Sequence, residues 1–252
     1  MTRWLRAARA MLAACGLACV ALVADDAQAD REEGRSGPRA RLVVTRGNAM
    51  GVSALAVSPD DRHLLTGNQG DDACLWEMAT GREVRRFIGH TGSLNDVAFS
   101  PDGRLAATCA NDHTVRLWDV RTGKEIQCLH CDSFSVQSIA FSPDGTQLLS
   151  ATGGKPPQCW DVASGRRLWR LGVDEPLSRA GAHVAWSRGG RFVLTGSWDT
   201  VARVWDADSR EEIRRFEGHR HPICALAIAP DGRHAVTCDG DAMSQDDSTV
   251  RV

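Results

Sequence analysis

Cys128-Leu129-His130-Cys131 brings two thiols and an imidazole into four consecutive residues, the makings of a redox pair or of part of a zinc site. A redox C-x-x-C draws its low thiol pKa from a helix N-terminus, and these residues fall at the end of an expected strand. Zinc takes four ligands, and this stretch supplies at most three. The motif therefore reads as structural or incidental, with a disulfide or a metal site as its alternatives. His219 and His221 flank Arg220 and read as a solvated loop rather than a metal pair. His90, Thr108 and Asp112 have the composition of a catalytic triad. The set returns in part as Thr195 with Asp199, and again as His219, Thr237 and Asp241. A single active site would not be copied along a chain, so these residues are expected to hold structure. No nucleophile elbow, H-E-x-x-H or phosphate-cradling glycine loop is present. The expectation is a non-enzyme with no cofactor and no metal.

What copies these residues is a repeat of about 42 residues, best seen in VAFSPDGRLAATCANDHTVRLWDVRTGK, Val97 to Lys124. Trp118 recurs as Trp76, Trp160 and Trp205, and Ser100-Pro101-Asp102 recurs at Ser58 and Ser142 and as Ala-Pro-Asp at Ala229. Pro59, Pro101 and Pro143 precede Trp76, Trp118 and Trp160 by the same 17 residues. Periods of this size mark solenoids or propellers. Within the best module, Leu94 to Phe99, Arg104 to Cys109, Thr114 to Trp118 and Lys124 to Leu129 read as strands separated by turn chemistry. The third module, with Gly153, Gly154, Pro156 and Pro157 around one turn, is expected to be the least regular. Cys109 and Cys238 share one slot of two modules and read as small buried hydrophobes.

The ends differ in character. Arg3, Arg6 and Arg9 precede an uncharged apolar run, Ala10 to Val23, and Ala27-Gln28-Ala29 offers a cleavage site, which makes residues 1–29 a secretory signal peptide. The run is shorter than the roughly 20 residues of a membrane span. A retained signal anchor, or a lipobox at Leu12-Ala13-Ala14-Cys15, is the weaker alternative. Residues 30–41 are charged and lack an apolar period, as a flexible linker would. An exported protein, periplasmic or extracellular and without a stable membrane span after cleavage, is expected. A net charge of -2, with basic residues scattered along the array, excludes a counterion-release nucleic-acid binder.

The Gly-His, Phe-Ser-Pro-Asp-Gly and Thr-Val-Arg-Leu-Trp-Asp pattern resembles the WD-repeat β-propeller family from Leu42 to Val252. The resemblance implies an all-β fold of four-stranded antiparallel blades around a central channel, with the outer strand contributed across the repeat boundary. Four repeats are full (47–88, 89–130, 131–175, 176–217) and a fifth (218–252) lacks its end, leaving a partial propeller or a five-bladed ring closed by Leu42 to Thr45. The partial array is preferred, because the fifth repeat stops before its Trp.

The family's structural tetrad then maps onto His90, Thr108, Asp112 and Trp118 in the second module. It maps in part onto Thr195, Asp199 and Trp205 in the fourth, and onto His219, Thr237 and Asp241 in the fifth. For partner contact the resemblance points to Trp198, in a turn on the partner-facing edge, with Asn111 and Arg203 as weaker candidates. Trp198 could equally fold onto a neighbouring blade. Trp169 and Trp186 read as packing between blades. The implied function is a non-catalytic scaffold binding a protein partner through the rim. The alternatives are a ligand-binding or enzymatic propeller using the channel mouth, or a docking fragment of a larger multidomain protein.

Overall fold

The structure is a computed structural model that describes residues 51–131, 135–153, 155–172, 183–229, 231–240 and 250–251. The expected signal peptide, linker and orphan strand Leu42 to Thr45 lie outside them, as does Asp241.

Alternating apolar runs broken by Ser-Pro-Asp-Gly turns give nineteen strands and no helix among the described residues. The first sheet holds β1 (Val52–Val57), β2 (His63–Asn68), β3 (Asp72–Glu77) and β4 (Arg82–Ile88), and the second β5 (Leu94–Phe99), β6 (Leu105–Ala110), β7 (Thr114–Asp119) and β8 (Glu125–His130). The third holds β9 (Val136–Phe141), β10 (Gln147–Thr152), β11 (Lys155–Asp161) and β12 (Arg167–Arg170). The fourth holds β13 (His183–Trp186), β14 (Phe192–Gly196), β15 (Ala202–Asp206) and β16 (Glu212–Phe216). In the fifth, β17 (Ile223–Ile228), β18 (Ala235–Asp239) and β19 (Val250–Arg251) are described. Each sheet is an antiparallel meander in chain order, and the sheets are the blades of a β-propeller. The innermost strands pack side by side in the succession β1, β5, β9, β13, β17. No comparable packing joins β17 to β1 among the described residues.

The repeated turn is a built device. Ser58, Ser100 and Ser142 each donate a hydroxyl hydrogen bond of 2.6 Å to the Asp two residues on, and each accepts the backbone N–H five residues on. The glycine of the next blade's turn then lies on the preceding proline, Gly103 on Pro59 and Gly145 on Pro101. Both glycines have φ above +70°, where a side chain would be strained.

Blades close on one another through a repeated apolar pair. Phe87 meets Trp118 of the following blade with ring centroids 5.6 Å apart, and Leu129 and Leu171 share core clusters with Trp160 and Trp205 in the same way. Phe216 occupies the same position in the fourth blade and is 43% exposed. The small slot of the second strand is Gly67, Cys109, Ala151, Gly196 and Cys238, and in the first four blades it makes room for the next inner strand. A Cβ on Gly196 would come within 2.5 Å of Ile223 and 2.9 Å of Leu226. Gly196→Ala is therefore expected to cost about 1–3 kcal/mol by overpacking, read as a lower urea midpoint. Gly189→Ala, with open space around it, should leave the midpoint unchanged.

The third blade is irregular where its prolines sit. The ladder of β10 and β11 shifts register between Ser150 and Thr152, opposite Pro156 and Pro157, whereas the matching ladders of the first, second and fourth blades run without a shift. Proline has no N–H to give a ladder and settles at bulges. Each of the four described outer strands is bulged at one place, at Val84, Ile126, Leu168 and Ile213, each about half exposed. A bulge twists an edge strand away from pairing with another chain.

Candidate functional site

The chemistry-bearing residues of the repeat form a column of hydrogen bonds inside each blade. An indole N–H on the third strand donates to a hydroxyl on the second in all four blades that carry the Trp. The pairs are Trp76 to Thr66, Trp118 to Thr108, Trp160 to Ser150 and Trp205 to Thr195, at 2.8–2.9 Å.

In the second blade the column continues, with Thr108 Oγ1 lying 2.7 Å from His90 Nε2 and His90 Nδ1 lying 2.9 Å from Asp112 Oδ2. The ionised Asp112 can only accept, so a neutral His90 carries its proton on Nδ1 and donates it to Asp112. Its Nε2 then accepts the Thr108 hydroxyl hydrogen, and the Thr108 oxygen accepts the indole N–H. Burial lowers the His90 pKa against the pull of Asp112, which fits this neutral ring. Burial by itself would raise the Asp112 carboxyl. Bonds from Thr91 N–H, Thr114 and His90 outweigh it and hold the carboxyl at about 2. Every group in the set is saturated and buried, which makes it a clamp and leaves no nucleophile to attack a substrate.

The other blades vary the clamp. In the third, the Cys131 thiol approaches the Ser150 hydroxyl at 3.6 Å, on the group that His90 engages in the second blade. Cys128 lies 3.9 Å from His130 instead, so the two thiols of the C-x-x-C have separate neighbours. All seven described cysteines are thiols. In the fourth blade Asp199 bonds the Arg203 guanidinium at 2.6 Å.

In the fifth, His219 Nε2 meets Thr237 Oγ1 at 2.7 Å, and its Nδ1 meets Asp239 Oδ2 at 3.2 Å. Asp239, fully buried at the end of β18, also accepts the N–H groups of Arg220 and His221. A carboxylate at this histidine thus comes from Asp239, two residues before Asp241, which lies outside the described residues. A carboxylate at the end of the strand reaches the same imidazole as one in the turn.

The three rim candidates separate. Trp198 is 51% exposed, the one exposed tryptophan among the described residues, and its indole lies on Gly153 of the preceding blade's turn, 3.6 Å from where a Cβ would stand. It both folds onto a neighbour and presents a face outward. Asn111 is exposed and bonded to Asn95 and Ser135. Arg203 is a correction: only 7% exposed, it sits between Asp199 and Glu212, 3.4 Å from the latter, and its charge is spent inside the blade. Trp169 and Trp186 pack edge to face at 6.4 Å against the core between the third and fourth blades.

One row escaped the sequence reading. At the position opposite the small slot, the inner strands carry Ala54, Asp96, Ser138, His183 and Ala225. Asp96 accepts Val97 N–H at 2.8 Å and, from the next inner strand, Ile139 N–H at 2.9 Å, and the Ser138 hydroxyl also donates to it. Ser138 Oγ accepts Val184 N–H at 3.4 Å, one blade further on. The row straps neighbouring blades together, and with both oxygens of Asp96 engaged it offers no free base.

Burial raises Asp96 to about 6 against those bonds, and burial lowers His183 to about 4. The folded state therefore refuses the His183 proton, so stability falls as pH drops from about 6.5 toward 4. It holds the Asp96 proton more tightly than the unfolded chain does, so stability rises as pH drops from about 6 toward 3.8. Within that window the two oppose. His183→Ala, the residue of the first and fifth blades, should gain on wild type in urea midpoint between pH 7 and pH 5. A midpoint difference independent of pH would refute the assignment.

Among the described residues no group of three or more His, Cys, Asp or Glu is placed to hold a metal ion, and no helix is long and apolar enough to cross a membrane. The family model described as "WD domain, G-beta repeat" matches residues 40–77, 81–119, 123–155, 182–206 and 210–252. These units are out of phase with the blades: 81–119 takes β4 of the first blade and β5, β6 and β7 of the second. Among curated proteins, the chain is 40% identical over 50 residues to an uncharacterized WD repeat-containing protein of Schizosaccharomyces pombe, covering 20% of this chain and 12% of that one. It is 39% identical over 46 residues to dynein assembly factor with WD repeat domains 1 of Danio rerio, covering 18% and 11%. It is 36% identical over 55 residues to nuclear distribution protein PAC1-2 of Postia placenta, covering 22% and 13%. The matches thus span about one-eighth of each relative's length.

Proposed function

The chain belongs to the WD-repeat family, and on that premise we propose that it is a non-catalytic scaffold that binds a protein partner through the rim around Trp198. One observation carries the reading. The buried tryptophans Trp76, Trp118, Trp160 and Trp205 are tied to a hydroxyl inside a blade, whereas Trp198 lies half-exposed on the surface of a turn. A large, rigid aromatic that rests against a neighbouring turn and still exposes half its surface is the kind of residue that dominates binding energy at interfaces. The saturated clamps beneath it support a structural role for the His, Thr and Asp residues. The two relatives named for dynein assembly and for nuclear distribution are proteins whose names describe assembly and placement rather than a reaction.

The basic, apolar and small-residue pattern of residues 1–29 supports action after export, in the periplasm or outside the cell. A pull-down from the exported fraction with wild type and Trp198→Ala tests the reading. Wild type should recover a partner that Trp198→Ala loses, and equal recovery would remove Trp198 from the interface.

A further inference from the structure

Trp198 is one end of a longer uncharged strip. The inner strands β5 and β9 are bulged at Asn95 and Gln137, where the first and fifth blades carry Ser53 and Cys224. Bulges re-aim side chains and recur beside functional sites. The two hydrogens of Asn95 Nδ2 are shared among three acceptors, Asn111 Oδ1 at 2.8 Å, the Val136 carbonyl at 2.8 Å and Ser135 Oγ at 3.0 Å. Ser135 Oγ donates to Asn111 Oδ1 at 2.5 Å and accepts from Gln137 Nε2 at 2.7 Å. Three side-chain amides are thereby fixed, each by one end. The other ends, Asn95 Oδ1, Gln137 Oε1 and Asn111 Nδ2, have no hydrogen-bond partner among the described residues. Val136 pairs with Thr152, and the next residue, Gly153, lies beneath the Trp198 indole. The strip thus crosses the second, third and fourth blades, from the amides to the indole.

Two acceptors and a donor on neutral side chains match the N–H and C=O groups of a peptide backbone. A charge set against these three neutral amides would lose its water and find no counter-charge among them. Groups already held in place lose little freedom on binding. We propose that the partner's contact segment is an extended, uncharged stretch of polypeptide, its backbone held by Asn95, Asn111 and Gln137 and an apolar or aromatic side chain laid on Trp198. The inference rests on the reading of this rim as a protein-binding surface.

Selection of a phage-displayed library of random twelve-residue peptides on the purified chain tests it. Fluorescence anisotropy of the enriched peptides then follows on wild type, Trp198→Ala, Gln137→Ala, Asn111→Asp and, on the opposite face, Arg188→Ala. The enriched sequences should be poor in charged residues and carry an aromatic or large apolar side chain. Binding should weaken on the order of tenfold with Trp198→Ala, several-fold with Gln137→Ala and with Asn111→Asp, and not at all with Arg188→Ala. Enrichment of charged peptides, no enrichment, or full binding to both Gln137→Ala and Asn111→Asp would overturn the proposal. So would binding of neutral oligosaccharides from a glycan array in place of peptides. Partner capture lost with Trp198→Ala but kept with both amide variants defeats this inference alone, whereas capture kept by all three defeats the rim reading too.

Discussion

Replacing Trp118 with alanine is expected to lower the unfolding free energy by about 3–5 kcal/mol, a large share of what holds a domain together. Trp118 is 2% exposed and closes the seam between the first and second blades on Phe87, Leu94 and Val97. Its removal leaves a cavity in that seam and deprives Thr108 of its donor. Trp118→Phe divides the effect, because it keeps most of the ring and loses only the N–H; about 1 kcal/mol belongs to that bond. Chemical denaturation with both variants checks the pair. Equal losses would mean that the hydrogen bond, and not the packing, carries the seam.

Asp112→Ala should cost about 3 kcal/mol. The carboxylate accepts His90 Nδ1–H at 2.9 Å, Thr91 N–H and Thr114 N–H at 3.0 Å, and the Thr114 hydroxyl at 2.7 Å. Alanine removes the acceptor from all of these donors, of which His90 Nδ1–H is the most deeply buried. Asn is milder, since its one oxygen still accepts. The Asp112 pKa, about 2 when folded, lies below the ordinary carboxylate value, so its contribution is whole above about pH 4 and fades as pH falls toward 2. The advantage of wild type over Asp112→Asn, measured as urea midpoints, should shrink through that window. Asp199→Ala gives the comparison: its carboxylate holds a guanidinium in a blade that has no His clamp, and its loss should cost less.

Much of this was legible in the sequence, for a physical reason. Turn residues, hydroxyls and indoles each have one place in a meander, so fixed spacing transmits strand, turn and the Trp-to-hydroxyl bond together. The strands read from Leu94 to Leu129 differ from those observed by a residue at most of their ends. Spacing did not point to Asp239 at His219 or to Cys131 at Ser150, because a side chain can reach one target from more than one backbone position. Arg203, a candidate through the family resemblance, is held inside the blade by the charges at Asp199 and Glu212. The row Asp96, Ser138 and His183 was present in the sequence as one column of the repeat, two residues after Leu94 in the second module. Its signal was a polar residue where the first and last modules carry alanine. The amide strip was hidden more deeply, because a bulge leaves no mark on composition and sets side chains that belong to two blades against each other.

The most direct measurement compares Trp198→Ala with Trp118→Ala for both unfolding midpoint and affinity for the captured partner. The scaffold account predicts that Trp198→Ala unfolds with wild type and binds on the order of tenfold or more weakly, while Trp118→Ala unfolds early. Wild-type affinity in a normally folded Trp198→Ala protein would contradict it.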